Sequence, residues 1–137
     1  MLQTTRKLWL SRSVLFGALL LAMSCSDTNV LGPGNQLELV NEVGTFAWQV
    51  TALDKVSQTL TYSWTNNGTV ANVNKSSSLN SGSATVRVTD GAGVEVHSGS
   101  LSQNGTSQTS AGTAGTWTVT VVMNGATGAL NFRLETP

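Results

Sequence analysis

The chain is 137 residues long, with 10% charged residues and a formal net charge of zero. That length holds one domain and a short appendage, and the charged fraction lies far below the roughly 25% of an ordinary soluble domain. Ser, Thr, Asn and Gly carry the solubility instead, and no stripe of Arg and Lys is present to neutralise phosphates, which excludes nucleic acid as a partner class.

Charge is uneven along the chain. Arg6, Lys7 and Arg12 precede an apolar run over residues 14–23; beyond Ser24 four basic residues stand against seven acids, a net of −3. A basic start, ten apolar residues and the small Ser24 form the layout of an export signal over residues 1–24. Ten residues are too few to span about 30 Å of hydrocarbon as a helix.

Cys25 is the only cysteine. It cannot close an intramolecular disulfide, so the fold must stand on its apolar core. Its place at the end of the apolar run resembles the lipobox of bacterial lipoproteins, in which the cysteine thiol is diacylglycerylated and the peptide is cut just before it. A typical lipobox has Leu three residues before the cysteine and a small residue two before; here Ala22 and Met23 hold those places, with Leu21 one position further out. The resemblance implies that Cys25 is the lipidation site and the mature N-terminus. Two rivals stand beside it. Ala22 and Ser24 also fit the small-x-small pattern of an ordinary signal peptidase site, which releases a soluble protein, and a lone thiol can be a core residue.

Residues 26–35, SDTNVLGPGN, are polar, aperiodic and contain Gly and Pro, so residues 25–35 read as a flexible tether. From residue 36 to 137 the pattern is alternation. FAWQV (46–50), LTYSW (60–64), ATVRV (84–88), WTVTV (117–121) and LNFRL (130–134) place large residues on one face and small or polar ones on the other, the period of half-buried strands. Weaker strands are expected over 37–43, 69–75, 94–101 and 106–111. Between the runs fall Asn66-Asn67-Gly68, Asp90-Gly91-Ala92-Gly93 and Asn124-Gly125 with Gly128, which suit tight hairpins. The expected fold is all-β, an antiparallel β-sandwich of about eight or nine strands.

SATVRVTDGAGVEVHS, followed by GTAGTWTVTVVMNGATGALNFRLE, resembles the closing strands of the jelly-roll β-sandwiches of bacterial pre-peptidase C-terminal domains, over residues 83–135. The N-terminal part lacks the Asp-Leu-Tyr type of motif of that family, so the resemblance implies architecture and no role in protease processing. The chain as a whole resembles small bacterial lipoproteins of unknown function that pair a signal peptide with one such sandwich.

Chemistry-bearing residues are sparse. His97 is the only histidine, so any catalytic triad would be built around it; alternation puts it with Glu95 on the face opposite Val94 and Val96, toward solvent. Zinc needs three or four ligands, which one histidine cannot supply without a free cysteine. Asp90 has the residue type for calcium but lies in no D-x-[DN]-x-[DN]-G loop, and Asp-Gly is first a turn former. Asp54 and Lys55 read as a loop between two strands. Phe46, Trp48, Tyr62, Trp64, Trp117 and Phe132 would make a sugar-stacking platform if exposed, but each lies on the apolar side of its strand, where the core needs them. No metal, cofactor or catalytic residue is expected. The expectation is a lipid-anchored protein of the bacterial envelope, facing the periplasm or the exterior, with a noncatalytic sandwich that binds or braces a polysaccharide or envelope protein; the alternative is a secreted or anchored carbohydrate-binding module.

Overall fold

The computed structural model describes residues 29–137. The expected export signal and Cys25 lie outside the described residues. Seven antiparallel strands build the rest: β1 (Glu38–Glu42), β2 (Thr45–Asn66), β3 (Asn72–Lys75), β4 (Ser78–Thr89), β5 (Glu95–Ser100), β6 (Gly105–Gln108) and β7 (Gly115–Glu135). The all-β antiparallel fold expected from the alternation is what the structure shows, consistent with a β-sandwich. All four weaker strands are present. The count is seven because FAWQV and LTYSW are two halves of one 22-residue strand, β2, and WTVTV and LNFRL two halves of the 21-residue β7.

β2 and β7 pair along their whole lengths, from Thr45↔Glu135 to Asn66↔Gly115, with register shifts between Val50 and Gln58. Those shifts are bulges, and bulges bend strands. Beyond the bend each strand belongs to the opposite layer. One layer runs β1, the start of β2, the end of β7, β3, β6; the other runs the end of β2, the start of β7, β4, β5. The two halves of β2 face each other across the core, where Phe46 lies 5.5 Å from Tyr62 and 6.5 Å from Trp64 between ring centres.

The bend explains two departures from the sequence reading. Asp54 and Lys55 lie inside β2, where Ala52 and Lys55 take left-handed φ values of 51° and 49° to turn the strand. Asn124-Gly125 is no hairpin; it bends β7, which stays paired with both neighbours. At Gly82 and Gly128, φ is 75° and 132°, and a Cβ on either would collide with a carbonyl of the facing strand, Gly125 and Ser78 respectively. Only glycine lets β4 and β7 approach so closely there.

Residues 29–36, which include most of the expected tether, lie along the bulged stretch of β2. Asn29 N donates to Lys55 O (3.3 Å) and Ser57 N to Asn29 O (2.9 Å). Asn29 Nδ2 donates to Asp54 O, Leu31 N to Gln58 Oε1, and Asn35 Nδ2 to the carbonyls of Thr51 and Ala52. A 3-10 turn (Pro33–Asn35) shapes the segment, and Leu31 packs on the core. Backbone groups of β2 that the bulges take out of the ladder thereby find partners.

Phe46, Trp48, Trp64, Trp117 and Phe132 are fully buried, and Tyr62 is half-buried against them. Trp64 and Trp117 are cross-strand partners in T-shaped contact, 5.9 Å between ring centres at 85°. Each buried indole N–H has an acceptor: Trp48 Nε1 donates to the Tyr62 hydroxyl, Trp64 Nε1 to Glu42 O and Trp117 Nε1 to Thr113 O. Burial therefore leaves no indole donor unpaired.

Candidate functional site

The polar residues singled out by sequence are divided between structural tasks. Asp90 is 5% exposed and closes the β4–β5 turn. Its Oδ1 accepts from the backbone N–H of Ala92 and Val94, and its Oδ2 from that of Thr113, all at 2.8–2.9 Å. These bonds, led by that to Thr113, hold the carboxyl below the usual carboxylate range against the opposing effect of burial. Both oxygens are thus turned to backbone N–H groups. Glu95 faces Arg87 at 3.9 Å with both side chains half in water, a weak surface pair.

His97 departs from the solvent-facing expectation. Val94 is 59% exposed at the turn, β5 begins at Glu95, and His97 is half-buried with Nε2 covered and without a hydrogen-bond partner. The cause is a bulge between Val88 and Thr89, which sets His97 opposite the fully buried Val88 and so on the core side of β5; there Lys75 reaches over from β3 and donates from Nζ to Ser100 O at 3.1 Å. Its ammonium and His97 Nε2 both lie beside Gly99, whose missing side chain leaves them room. Burial first, and then Lys75, push the imidazole pKa down, with Glu95 opposing. His97, Glu95 and Asp90 thus share a hairpin but converge on no common point. Among the described residues no group of three or more His, Cys, Asp or Glu side chains is arranged to hold a metal.

The buried aromatics form no platform. A polar surface with relief lies elsewhere, on the outside of the five-stranded layer. In the centre of that layer the register sets Val40, Ala47, Arg133, Asn74 and Thr106 side by side across five strands. The neighbouring row runs Glu38, Gln49, Asn131. Strands lie about 4.8 Å apart, so the central row is on the order of 19 Å long. Asn131 Nδ2 donates to Gln49 Oε1 at 2.8 Å, Thr106 Oγ1 to Asn74 Oδ1 at 2.6 Å, and Arg133 Nη1 to Glu135 Oε1 at 3.1 Å.

Asn131 and Arg133 form a ridge with a cleft on each side. The cleft toward β1, about 190 Å³, is lined by Glu38, Val40, Ala47 and Gln49; the cleft toward β6, about 500 Å³, lies over Asn74, Ser76 and Thr106. Small residues at 47, 76 and 105 leave the depressions. The surface presents amides that both donate and accept, hydroxyls, and one guanidinium, groups suited to hydrogen-bonding a neutral polar ligand. Sequence alone left these residues unmarked. Their signal is alternation, since Gln49, Asn131 and Arg133 are the outward positions of strands whose inward positions are core. Which strands adjoin, and so which polar positions make one row, depends on the long-range pairing of β2 with β7 and of β7 with β3. No protein-family model matches the chain, and no curated protein matches it significantly.

Proposed function

We propose that this chain is a lipid-anchored protein of the bacterial envelope, tied through Cys25, whose β-sandwich is a noncatalytic binding or bracing module. The observation that carries the noncatalytic part is the commitment of the polar groups a catalyst would use. Asp90 gives both oxygens to backbone N–H groups, and His97 has its Nε2 covered beside an ammonium. A general base needs access to the proton it takes. The anchor rests on the lipobox-like residues 21–25, and two or three acyl chains hold a protein durably on a bilayer where one does not. Replacing Cys25 with Ser tests it: the wild-type chain partitions into a detergent phase, and the variant moves to the aqueous phase or stays uncleaved. Unchanged partitioning would refute the anchor.

A second reading, a carbohydrate-binding module, is favoured by the ridge and clefts around Asn131 and Arg133. Because Trp48, Trp64 and Trp117 are buried, it works by hydrogen bonds from the five-stranded face and involves none of these indoles. Retardation of the protein in gels containing soluble polysaccharides, lost on combined Gln49→Ala, Asn131→Ala and Arg133→Ala substitution, supports it. Retardation that survives the triple substitution, or none with any polysaccharide, removes it.

A further inference from the structure

The hydrogen bonds of residues 29–36 to β2 fix where the chain leaves the sandwich. It leaves at the bend, beside Asp54, Lys55 and Ser57. The turns at residues 43–44 and 90–94 and the loops at 67–71 and 109–114 gather at the opposite, open end. Between Cys25 and Asn29 there are four residue steps, which reach at most about 14 Å when fully extended. The half of β2 that runs from Gln58 to Asn66 is on the order of 26 Å long. The lead is shorter than the domain.

From this we infer that the sandwich stands on the membrane with its bend end against the bilayer surface and its open end held away from it. The inference rests on reading Cys25 as the lipid-bearing N-terminus. An inverted domain would put Asn29 about 26 Å from the surface, beyond the reach of the lead. A domain lying on its five-stranded face would press Glu38, Glu42 and Glu135 toward the headgroups with Arg133 as the nearby cation, which an anionic bilayer opposes. The bend carries Asp54 and Lys55, whose charges cancel. The upright pose also leaves the clefts beside Asn131 and Arg133 open to the side, within reach of an envelope polymer.

The test uses the full lipidated chain in vesicles of phosphatidylethanolamine and phosphatidylglycerol. Because the Cys25 thiol is blocked by its diacylglyceryl thioether, a single new cysteine takes a fluorescent donor, either by Asn80→Cys at the bend or by Ala92→Cys at the open end, both exposed positions. With an acceptor in the headgroup layer, energy transfer from position 80 is expected to exceed that from position 92 several-fold. Equal transfer means a domain lying on its side, and the reverse order an inverted one; either overturns the inference while leaving the anchor intact. Failure of the chain to float with the vesicles overturns the anchor, and this inference with it. Inserting about 20 Gly and Ser residues between positions 28 and 29 should bring the two labels toward equal transfer; a difference that persists would overturn the short lead as its cause.

Discussion

At the open end of the sandwich, carboxylate and amide oxygens shape the turns. Asp90 accepts from the backbone two and four residues ahead, and Asn66 accepts from Gly68 N and donates to Val70 O. At the bend the partners are distant in sequence: Gly125 N donates to Ser57 Oγ, 68 residues away, and Lys55 N to Thr127 Oγ1, 72 away. Both ends satisfy backbone groups that the ladder leaves over. The open end adds such local bonds to long-range ones, among them Thr113 N to Asp90 Oδ2 and Thr136 Oγ1 to Asn66 Oδ1, whereas the bend needs the whole β2–β7 pairing first. A turn made locally can form early and alone; a bend made by two long strands is only as stable as their shared core.

The core common to both ends gives the largest expected effect. Trp117→Ala removes a buried indole that packs on Trp64, and should cost about 3–5 kcal/mol in chemical denaturation. A variant as stable as the wild type would mean that the two layers do not depend on that contact.

At the bend, Gly82→Ala sharpens the contrast. It adds a Cβ at a left-handed φ against the Gly125 carbonyl, and a loss of about 1–3 kcal/mol is expected. The same change at Gly93, which has a positive φ but open space around it, should cost about 1 kcal/mol. Equal losses would show that crowding at the bend adds nothing to backbone strain.

Comparing residues 29–137 with 36–137 tests whether residues 29–35 belong to the fold. The shorter chain should keep an all-β circular dichroism spectrum, since every strand lies within it, and lose about 1–3 kcal/mol with the hydrogen bonds that residues 29–35 make to the bulges. Identical stability would return residues 29–35 to the role of a loose tether.

Smaller still is the pH response of His97. Its pKa is depressed in the fold, so the unfolded chain binds the proton more readily. The stability this group contributes is complete above its unfolded pKa, about 6.5, and declines as pH falls below it. Urea midpoints should therefore drop between pH about 7.5 and about 5, and the drop should flatten in His97→Gln. Asp90 acts in a lower range, because its contribution is present above the ordinary carboxylate value of 3.8 and is lost as pH falls through its depressed one.

The legible parts of this fold were those written in short stretches. Alternation in FAWQV, LTYSW, ATVRV, WTVTV and LNFRL marked strands and core aromatics, and Asp90-Gly91 marked a turn, because period and turn chemistry act over a few residues. Asn124-Gly125 carries the same local signal as a hairpin, yet the pairing of β7 with β2 and β4 overrides it and spends the glycine on a bend. Alternation sets His97 on the solvent face of β5 with Glu95, but the bulge beside Val88 turns it to the core side, next to Lys75 of another strand, and that register is set by the pairing of β4 with β5. The row through Arg133 and Asn74 was invisible for the same reason: its members come from five strands.

The proposal that joins these parts is that the chain is cut before Cys25 and lipidated there. The most direct measurement is the mass of the N-terminal peptide of the protein purified from membranes. The account predicts a peptide that begins at Cys25 and is heavier by a diacylglyceryl group, with or without a further acyl chain. An unmodified peptide that begins at Cys25, or any mature N-terminus other than Cys25, would contradict it.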